Sequence, residues 1–247
     1  MAPLKVYADR LSQPSRAILI FCKVNGIDFE EIAIDIFRGE TKKPEYIQVN
    51  PMGQVPAISN GDFYLFESHA ILVYLASVFP GIADHWYPAD VMKRAKVHSV
   101  LDWHHTNLRR AAHVVRASLA PKLGFPMNSS VAAEAEQTLA KSLLMVETFW
   151  LKGDGKFLLG GSEPSIADLS LVCEIMEMEF LEEKELSRIL SPHKKVLEWI
   201  EATCTATNPH FDEVHEKLLQ VKAKLSKQSS EEGNGSAGSS VKALFSS

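Results

Sequence analysis

The first 80 residues change hydrophobic period several times, as the chain of a small mixed sheet with packed helices does. Residues 4–9 alternate between apolar and polar side chains, which is the two-residue period of a half-buried strand. Residues 15–25 follow a helical period that stops at Gly26. Alternation returns over residues 29–36 and predicts a second strand, after which the chain becomes polar.

A hairpin is predicted over residues 55–66. The dipeptide Asn60-Gly61 suits a tight turn that needs positive φ at both positions. Ser68 then opens a helical period that ends at a Pro-Gly pair. The order β-α-β, loop, β-β-α predicts an α/β unit in which a βαβ crossover and an antiparallel hairpin share one sheet.

From residue 91 onward the hydrophobic period is helical almost throughout, which predicts an all-α second domain. Its expected helices, separated by Pro and Gly signals, are 91–119, 130–152, 166–180, 182–190, 193–205 and 210–225. We therefore expect domains at residues 1–82 and 91–225, joined by a linker at 83–90. Residues 226–247 are rich in Ser and Gly and can bury little apolar surface, so we expect a disordered tail there.

One helix start carries a recognisable polar signature. Ser165 can cap the helix, and Asp168, three residues later, can accept a hydrogen bond from the Ser165 N–H. Asp stands where Glu or Gln is usual, but the geometry remains reachable. We interpret Asp168 as a residue with a structural role in folding rather than a catalytic role.

The composition narrows the functional classes. Apolar residues make up 46% of the 247 residues, enough for a sizeable core. A net charge of −5 without a block of Lys and Arg argues against a nucleic-acid surface. No run of about 18 apolar residues is present, so no membrane span is expected. The strand pattern begins at once and leaves no room for a signal peptide, so we expect a cytoplasmic protein.

A metal site is not expected. The cysteines, at positions 22, 173 and 204, have spacings of neither a disulfide framework nor a zinc knuckle, and reduced thiols are expected. One predicted helical face gathers His98, Asp102, His105 and Arg109. Arg109 on that face would repel a cation, and no second ligand helix is evident. Solvated or interface side chains explain His98 and His113, whereas Arg109 or Arg110 could face an anion in a cleft.

Two stretches of the first domain could bind a ligand through the backbone. In "NPMGQVPAI", Pro56 should begin a strand or lie at an edge, and a cis Val55-Pro56 bond would expose the Val55 N–H and C=O to an incoming strand. A plain loop with two prolines is the alternative. In "FESHAIL", Glu67 and Ser68 lie where a strand ends and a helix begins, a place that favours a bound carboxylate. Ser68 could equally cap its own helix, and both can hold.

Ser12, in "LSQPS", is the remaining candidate. No G-x-S-x-G motif and no recognisable general base accompany it, so a hydrolase serine is not indicated. A hydroxyl at a strand-to-helix turn can instead donate a hydrogen bond to an anion near the helix N-terminus. If Pro14 is the first helical residue, Gln13 occupies the cap position and the Ser12 hydroxyl is not consumed by capping.

Six motifs together resemble the theta class of glutathione transferases, with the closest likeness to plant members. They are "LSQPSRA", "NPMGQVPAI", "FESHAI", "WYP", "SVLDWHHTNLRR" and "PSIADLSL", in this order over residues 4–225. The resemblance implies a thioredoxin-like N-terminal domain, a helical C-terminal domain and a homodimer. It implies glutathione as co-substrate without a prosthetic group, and small hydrophobic electrophiles or organic hydroperoxides as second substrates, in a detoxification role.

The resemblance also assigns roles to residues. Ser12 would hydrogen-bond the glutathione sulfur and favour its thiolate, with Arg109 approaching from the helical domain. The implied glutathione contacts are Leu11, Gln13, Glu40, Thr41, Gln54, Val55, Pro56, Glu67 and Ser68. Among these, Val55 would pair with the cysteinyl unit beside a cis Pro56, Glu67 and Ser68 would hold the γ-glutamyl end, and Gln54 the glycyl end.

The chain departs from the theta pattern at two places. Glu40-Thr41 stands where some members have a glutathione-binding histidine, and the final "LFSS" is not a peroxisomal tripeptide. A non-catalytic ligand-binding or scaffold protein of the same fold is the alternative function. Ser12 argues against it, because a scaffold needs no hydroxyl at that turn. Stress-sensing and channel relatives have a cysteine there.

Overall fold

The computed structural model describes residues 3–119 and 129–232. In these ranges the strands form one sheet in the order β2-β1-β3-β4. The strands are β1 Leu4–Ala8, β2 Phe29–Ala33, β3 Ala57–Asn60 and β4 Phe63–Phe66. β1 pairs in parallel with β2 and antiparallel with β3, and β3 pairs antiparallel with β4. The predicted mixed sheet is confirmed.

The helices of the first domain lie on the sheet, and those of the second form a separate layer. The α-helices are α1 Gln13–Val24, α2 Pro44–Ile47, α3 Ser68–Val78, α4 Val91–Thr106, α5 Ala111–Leu119, α6 Ser129–Met145, α7 Ile166–Ile175, α8 Glu183–Leu190, α9 Lys194–Thr207 and α10 His210–Glu232. Short turns of 3-10 helix occur at Glu40–Lys42, Leu108–Arg110, Leu158–Gly160 and Met176–Phe180, and a π-helical turn at Val146–Trp150.

Helix α1 forms the contact between the two domains. It packs against α3 of its own domain and against α7 and α10 of the second. Residues 17–22 are completely buried, so the side chains around the whole circumference of the helix are excluded from water. This stretch is apolar on all sides because it lies inside the molecule rather than on its surface.

Several boundaries differ from the sequence expectation. The predicted helix 91–119 breaks at Asn107, where φ is −119° and ψ is −91°, so Arg109 lies on a separate 3-10 turn. The hairpin turn is Gly61-Asp62 rather than Asn60-Gly61, because Asn60 still pairs with Phe63. Asn60 therefore needs no positive φ, whereas Gly61 has a φ of 64°.

The ends of two other elements also differ. Strand β2 stops at Ala33, short of the predicted residue 36, because the Ile36 N–H donates to the carboxylate of Asp9 instead of to a neighbouring strand. Helix α10 runs to Glu232, seven residues beyond its predicted end and into the segment expected to be a disordered tail. Residues 233–247 of that segment lie outside the described residues.

The capping box at the start of α7 is confirmed. The buried carboxylate of Asp168 accepts from the Ser165 N–H at 2.8 Å and the Ser165 hydroxyl at 2.7 Å. Its other oxygen accepts from the Leu158 N–H at 2.7 Å and from Nε1 of Trp199 at 2.8 Å. One carboxylate thus joins α7, α9 and the turn before α7.

The cysteines are free thiols, two of them buried and Cys204 half-buried. Burial raises the pKa of each thiol to about 12, so none is a thiolate at neutral pH. Among the helices in the described ranges, none combines the length and the apolar character that crossing a bilayer requires.

Candidate active site

Ser12 is the N-cap of α1, in extended conformation, and Gln13 is the first helical residue. The prediction that Gln13 would be the cap is therefore wrong by one position. The Ser12 side chain nevertheless makes no capping hydrogen bond. Pro14 accounts for this in part, since it lies in the first turn and lacks the N–H that an N-cap oxygen often binds. The hydroxyl remains available, although not for the reason expected from the sequence.

The turn that carries Ser12 is held by hydrogen bonds from several directions. Asp9, which is buried, accepts from the Leu11 N–H at 2.9 Å through its carboxylate and from the Ser12 N–H at 2.8 Å through its carbonyl. Nη1 of Arg16 donates to the carbonyls of Arg10 and Leu11, both at 3.1 Å. The backbone around Ser12 is consequently fixed before any ligand binds.

Two clefts open beside this turn. The large cleft, about 710 Å³, is lined by both domains and includes the predicted site residues Leu11, Ser12, Gln13, Thr41, Gln54, Val55 and Arg109. The small cleft, about 260 Å³, includes Gln54, Val55, Pro56, Glu67, Ser68 and Arg109. Gln54, Val55 and Arg109 line both, so the clefts share a wall. Of the predicted site residues, Glu40 alone lines neither cleft.

The carboxylate of Glu40 is occupied within its own loop. It accepts from the Asp35 N–H at 2.8 Å and from Nζ of Lys43 at 2.7 Å. The hydrogen bond from Lys43, and then that from Asp35, lower the pKa of Glu40. The geometry therefore leaves Glu40 to order the loop, while its neighbours Thr41 and Lys42 line the large cleft.

Lys42 was not among the residues predicted from the sequence. Its Nζ donates to the carbonyl of Gly53 at 3.2 Å. Gly53 has a φ of 59°, and a Cβ at this position would stand 3.0 Å from the carbonyl oxygen of Thr41, so the backbone here favours glycine. Lys42 places a cation in the cleft wall beside Gln54.

The Val55-Pro56 bond is cis, as the sequence suggested. The preceding carbonyl, that of Gln54, accepts from the Tyr46 hydroxyl at 2.6 Å and from Nδ2 of Asn50 at 2.7 Å. The backbone N–H and C=O of Val55 have no backbone partner in the described part of the chain. Val55 thus offers an unpaired strand-like edge on the wall shared by the two clefts.

The start of α3 forms the far end of the small cleft. Glu67 is the N-cap of this helix, with a φ of 70° and a ψ of 110°, and Ser68 is its first residue. The alternative that Ser68 caps its own helix is not realised, since no side-chain cap hydrogen bond is present. A non-glycine residue at such a φ carries local strain, which is often found where a ligand binds. Glu67 and Ser68 line this cleft, so the N-terminus of α3, with its free N–H groups, lies at the cleft wall.

A buried polar cluster behind the clefts was missed by sequence reasoning. Its centre is Glu174 of α7, whose carboxylate accepts from Nη1 of Arg109 at 2.8 Å and from Nε2 of Gln13 at 3.1 Å. Nε2 of His104 lies 3.2 Å from the same carboxylate, and Nδ1 of His104 lies 3.2 Å from Nε2 of His69. The only available signal was a charged residue inside the apolar run "LSLVCEI".

Burial and the neighbouring charges within the cluster shift the pKa values of Glu174 and His69. Burial by itself raises the pKa of Glu174, but His104 and Arg109 reverse this and hold it below its ordinary value, so the carboxylate is an anion. Burial lowers the pKa of His69 to about 2, with the charges of its neighbours acting in the same direction, so this histidine is neutral. In the described ranges, no group of three or more His, Cys, Asp or Glu side chains is arranged to hold a metal ion.

Of the other residues of the predicted α4 face, His105 lies beside this cluster, with its ring centroid 4.5 Å from that of His69, and it lines the small cleft, whereas His98 lies apart from both. His98 contacts the Tyr87 hydroxyl at 2.9 Å on the surface. Arg110 pairs with Glu134 at 2.9 Å, also on the surface. His113 is exposed. Of the two arginines predicted to face an anion, Arg109 reaches the clefts and Arg110 does not, and Arg116 also lines the large cleft.

Comparison with known proteins agrees with this architecture. Residues 2–77 match the family model of the glutathione S-transferase N-terminal domain. Glutathione S-transferase T1 of Arabidopsis thaliana is 61% identical over 230 residues, covering 92% of this chain and 94% of that protein. The chain belongs to the theta class of the glutathione S-transferases. The human theta-1 member of this class is 36% identical over 225 residues, covering 89% of this chain and 90% of its own.

Two further comparisons define the extent of this similarity. Glutathione S-transferase T2 of Arabidopsis thaliana is 61% identical over 227 residues, which are 91% of this chain but 38% of that protein. The crystal structure of human glutathione transferase theta-2, in complex with glutathione and an unknown ligand, aligns with a TM-score of 0.81 at 30% identity, covering 91% of each chain. The thioredoxin-like first domain and the helical second domain are those of theta-class enzymes.

Proposed function

We propose that this theta-class member is a cytoplasmic, homodimeric glutathione transferase that attacks small hydrophobic electrophiles with a Ser12-stabilised glutathione thiolate and also reduces organic hydroperoxides. One observation carries the proposal. A serine hydroxyl that makes no capping hydrogen bond stands at the start of α1, in a cleft whose wall is the exposed backbone of Val55.

Glutathione fits the two clefts as an extended peptide. Its cysteinyl unit would pair with the N–H and C=O of Val55, strand against strand. The γ-glutamyl end would lie in the small cleft, its carboxylate at the Ser68 hydroxyl and the N-terminus of α3, and its ammonium at Glu67. At the glycyl end, Lys42 supplies the cation for the second carboxylate, beside Gln54 and Thr41. Lys42 thereby takes the place of the histidine that some theta members have and this chain lacks.

The hydroxyl of Ser12 would raise the thiolate fraction. A free thiol has a pKa of about 8.5, so only a few per cent is ionised at pH 7. Lowering that pKa by about two units needs roughly 2.7 kcal/mol of differential stabilisation. A hydroxyl hydrogen bond to a charged partner contributes about 1.5–3 kcal/mol, and a helix N-terminus adds about 0.3–1. Ser12 and the N-terminus of α1 would supply these two contributions.

Conjugation and peroxide reduction would share this thiolate. In conjugation it attacks an electrophilic carbon, a C–S bond forms and the leaving group departs as an anion. In peroxide reduction it attacks the terminal peroxide oxygen, the O–O bond breaks, and the alkoxide takes a proton from water to become the alcohol. A second glutathione then attacks the sulfenic acid, so that oxidised glutathione and water are released. Arg109, at the shared wall, would stabilise the developing anion in either route.

Exposed apolar side chains support the homodimer. Met52, Phe63, Tyr64, Val78, Val91 and Met92 are each more than two-fifths exposed. Large exposed apolar side chains are candidates for an interaction surface on a soluble protein. Chromatography with light scattering tests this state, and a mass of one chain at micromolar concentration would contradict it.

The decisive experiment replaces Ser12 by Ala and measures turnover with cumene hydroperoxide and with a chlorinated aryl substrate. We expect kcat/KM to fall by about 10- to 150-fold with both, the equivalent of one charge-assisted hydrogen bond. The ultraviolet absorbance of bound thiolate should disappear at neutral pH. The matched control is Ser15→Ala, since the Ser15 hydroxyl is buried on the same helix turn and has no hydrogen-bond partner among the described residues. Wild-type activity in Ser12→Ala would overturn the role of Ser12, whereas glutathione binding without any turnover in the wild type would favour the ligand-binding alternative.

A further inference from the structure

We propose that Glu174 is a positioning residue that holds Arg109 and the Ser12 turn in one fixed relation, which rests on the function proposed above. Its two carboxylate oxygens accept hydrogen bonds from different partners. Oε1 accepts from Gln13, the residue next to Ser12, and Oε2 accepts from Arg109 at the shared wall of the clefts. One rigid group therefore sets the separation between the thiolate-stabilising hydroxyl and the guanidinium.

The location of Glu174 makes it suited to this role. It lies on α7 of the second domain, 1% exposed, and lines neither cleft, so it touches no ligand directly. Its partners come from α1 of the first domain, from α4 and from the turn after α4. The Arg109 side chain is 36% exposed, so its guanidinium is bound to Glu174 on one side and open to the clefts on the other.

An ion pair of this kind restricts a long side chain. An unpaired arginine at a cleft wall would sample several rotamers, and only some would direct its N–H groups at the reacting atoms. Anchoring one nitrogen to a buried carboxylate removes that freedom before the substrate arrives. Misplacement of a catalytic group by about 1 Å can reduce a rate by about 100-fold. The carboxylate would thus contribute to kcat without contacting glutathione.

The variant Glu174→Gln distinguishes two roles of Glu174, because a role through its negative charge and a role in positioning Arg109 predict opposite effects on turnover. If Glu174 acted only through its negative charge, removing it would strengthen the positive field of Arg109 at the sulfur. The thiolate would then form at lower pH and turnover would rise. If Glu174 positions Arg109, kcat falls instead, and the pH profile of kcat/KM moves to higher pH. We expect the second result, with a loss in kcat of about 10- to 100-fold and a change in KM for glutathione of less than about threefold.

A double-mutant cycle gives the second readout. Arg109→Ala should lower kcat more than it raises KM for glutathione. Because the proposed role lies in the relation between Arg109 and the Ser12 turn, Glu174 loses that role once Arg109 is absent, so the double variant should lose no more than Arg109→Ala alone, within about twofold. Additive losses would overturn the proposal. Glu174→Asp serves as a second variant, since it keeps the charge and withdraws the carboxylate by one methylene, and it should also lose kcat.

Glu147→Gln is the matched control. Its carboxylate also binds a histidine, His193 Nδ1 at 2.9 Å, and lines neither cleft, so kcat should be unchanged. A wild-type protein without glutathione-dependent turnover would overturn the proposed function and this inference with it. Turnover in the wild type with unaltered kcat in folded Glu174→Gln or Glu174→Asp would overturn the inference alone.

Discussion

Arg16 of the first domain and Glu177 of the second form an ion pair across the domain contact, with Nη2 of Arg16 3.2 Å from Oε2 of Glu177. The guanidinium is completely buried, and it also donates to the carbonyls of Arg10, Leu11 and Cys173. The same side chain therefore ties the Ser12 turn to helix α7. Glu177 lines the large cleft, so this pair forms part of the wall against which a second substrate would lie.

Replacing Arg16 by Met should destabilise the protein severely. The variant leaves Glu177 and three carbonyls without their buried donor, and breaking a buried pair from one side costs about 3–5 kcal/mol. Urea unfolding followed by tryptophan fluorescence measures the change. Arg188→Met is the comparison, because its pairs with Glu185 and Glu136 are on the surface, where such pairs contribute about 0–1 kcal/mol. Equal losses in the two variants would contradict the importance of burial.

Lys42 should determine the affinity for glutathione rather than the rate. Lys42→Ala removes the cation proposed to bind the glycyl carboxylate, a charge-assisted hydrogen bond of about 1.5–3 kcal/mol. We expect KM for glutathione to rise by about 10-fold or more while kcat stays within about twofold, because the contact is the same in the ground and transition states. Lys43→Ala is the control, since Lys43 lines neither cleft and is paired with Glu40. A fall in kcat with unchanged KM would rule out this role for Lys42.

The part of the site contributed by the first domain was predictable because its signals are local. A few neighbouring residues are enough to predict the local backbone conformation at three places: Pro14 beside Ser12, the Val55-Pro56 pair and the polar start of α3. The one-residue error at Gln13 arose because proline is tolerated at either of the first helical positions, and pattern alone does not choose between them. Glu40 was assigned by resemblance, and a loop contact with Lys43 decides its orientation instead.

The part contributed by the second domain was much less predictable. Glu174 is hydrogen-bonded to Gln13, which is 161 residues away in the sequence, and to Arg109, which is 65 residues away. Hydrophobic periodicity predicts no contact between residues so far apart in the sequence. The break at Asn107 was hidden because the apolar period continues through it, so that Arg109 was placed on the same face as His98. Buried polar clusters of this kind depend on tertiary packing, which a one-dimensional pattern does not contain.

Asp168 should be necessary for stability and not for chemistry. Asp168→Ala leaves two backbone N–H groups and Nε1 of Trp199 without an acceptor in a fully buried place. Unsatisfied buried donors cost about 1–3 kcal/mol each, so we expect a loss of at least about 3 kcal/mol. The variant should unfold at lower urea, while the kcat of the fraction still folded is unchanged. Asp154→Ala, in an exposed loop, is the control. An altered kcat in folded Asp168→Ala would assign it a catalytic role after all.

His215 should make the stability depend on pH. This histidine is 1% exposed, its Nδ1–H donates to the Phe211 carbonyl at 2.8 Å, and burial together with the charge of Arg16 lowers its pKa to about 3. Because the unfolded chain has an ordinary histidine pKa of about 6.5, the unfolded state takes up a proton between about pH 6.5 and pH 3 while the folded state does not. Its contribution to stability is therefore complete above about pH 6.5 and is lost as the pH falls, by about 1.4 kcal/mol per pH unit.

The variant His215→Gln isolates this effect from the other titrating groups. Glutamine keeps an N–H donor but does not titrate, so the free energy of unfolding should fall less steeply with decreasing pH than in the wild type. Between about pH 7.5 and pH 4.5 the two proteins should converge by about 2.7 kcal/mol, and above about pH 7.5 their difference should be constant. Urea unfolding at several pH values measures both. Parallel curves through the acid range would mean that His215 is protonated in the folded protein, contrary to its burial.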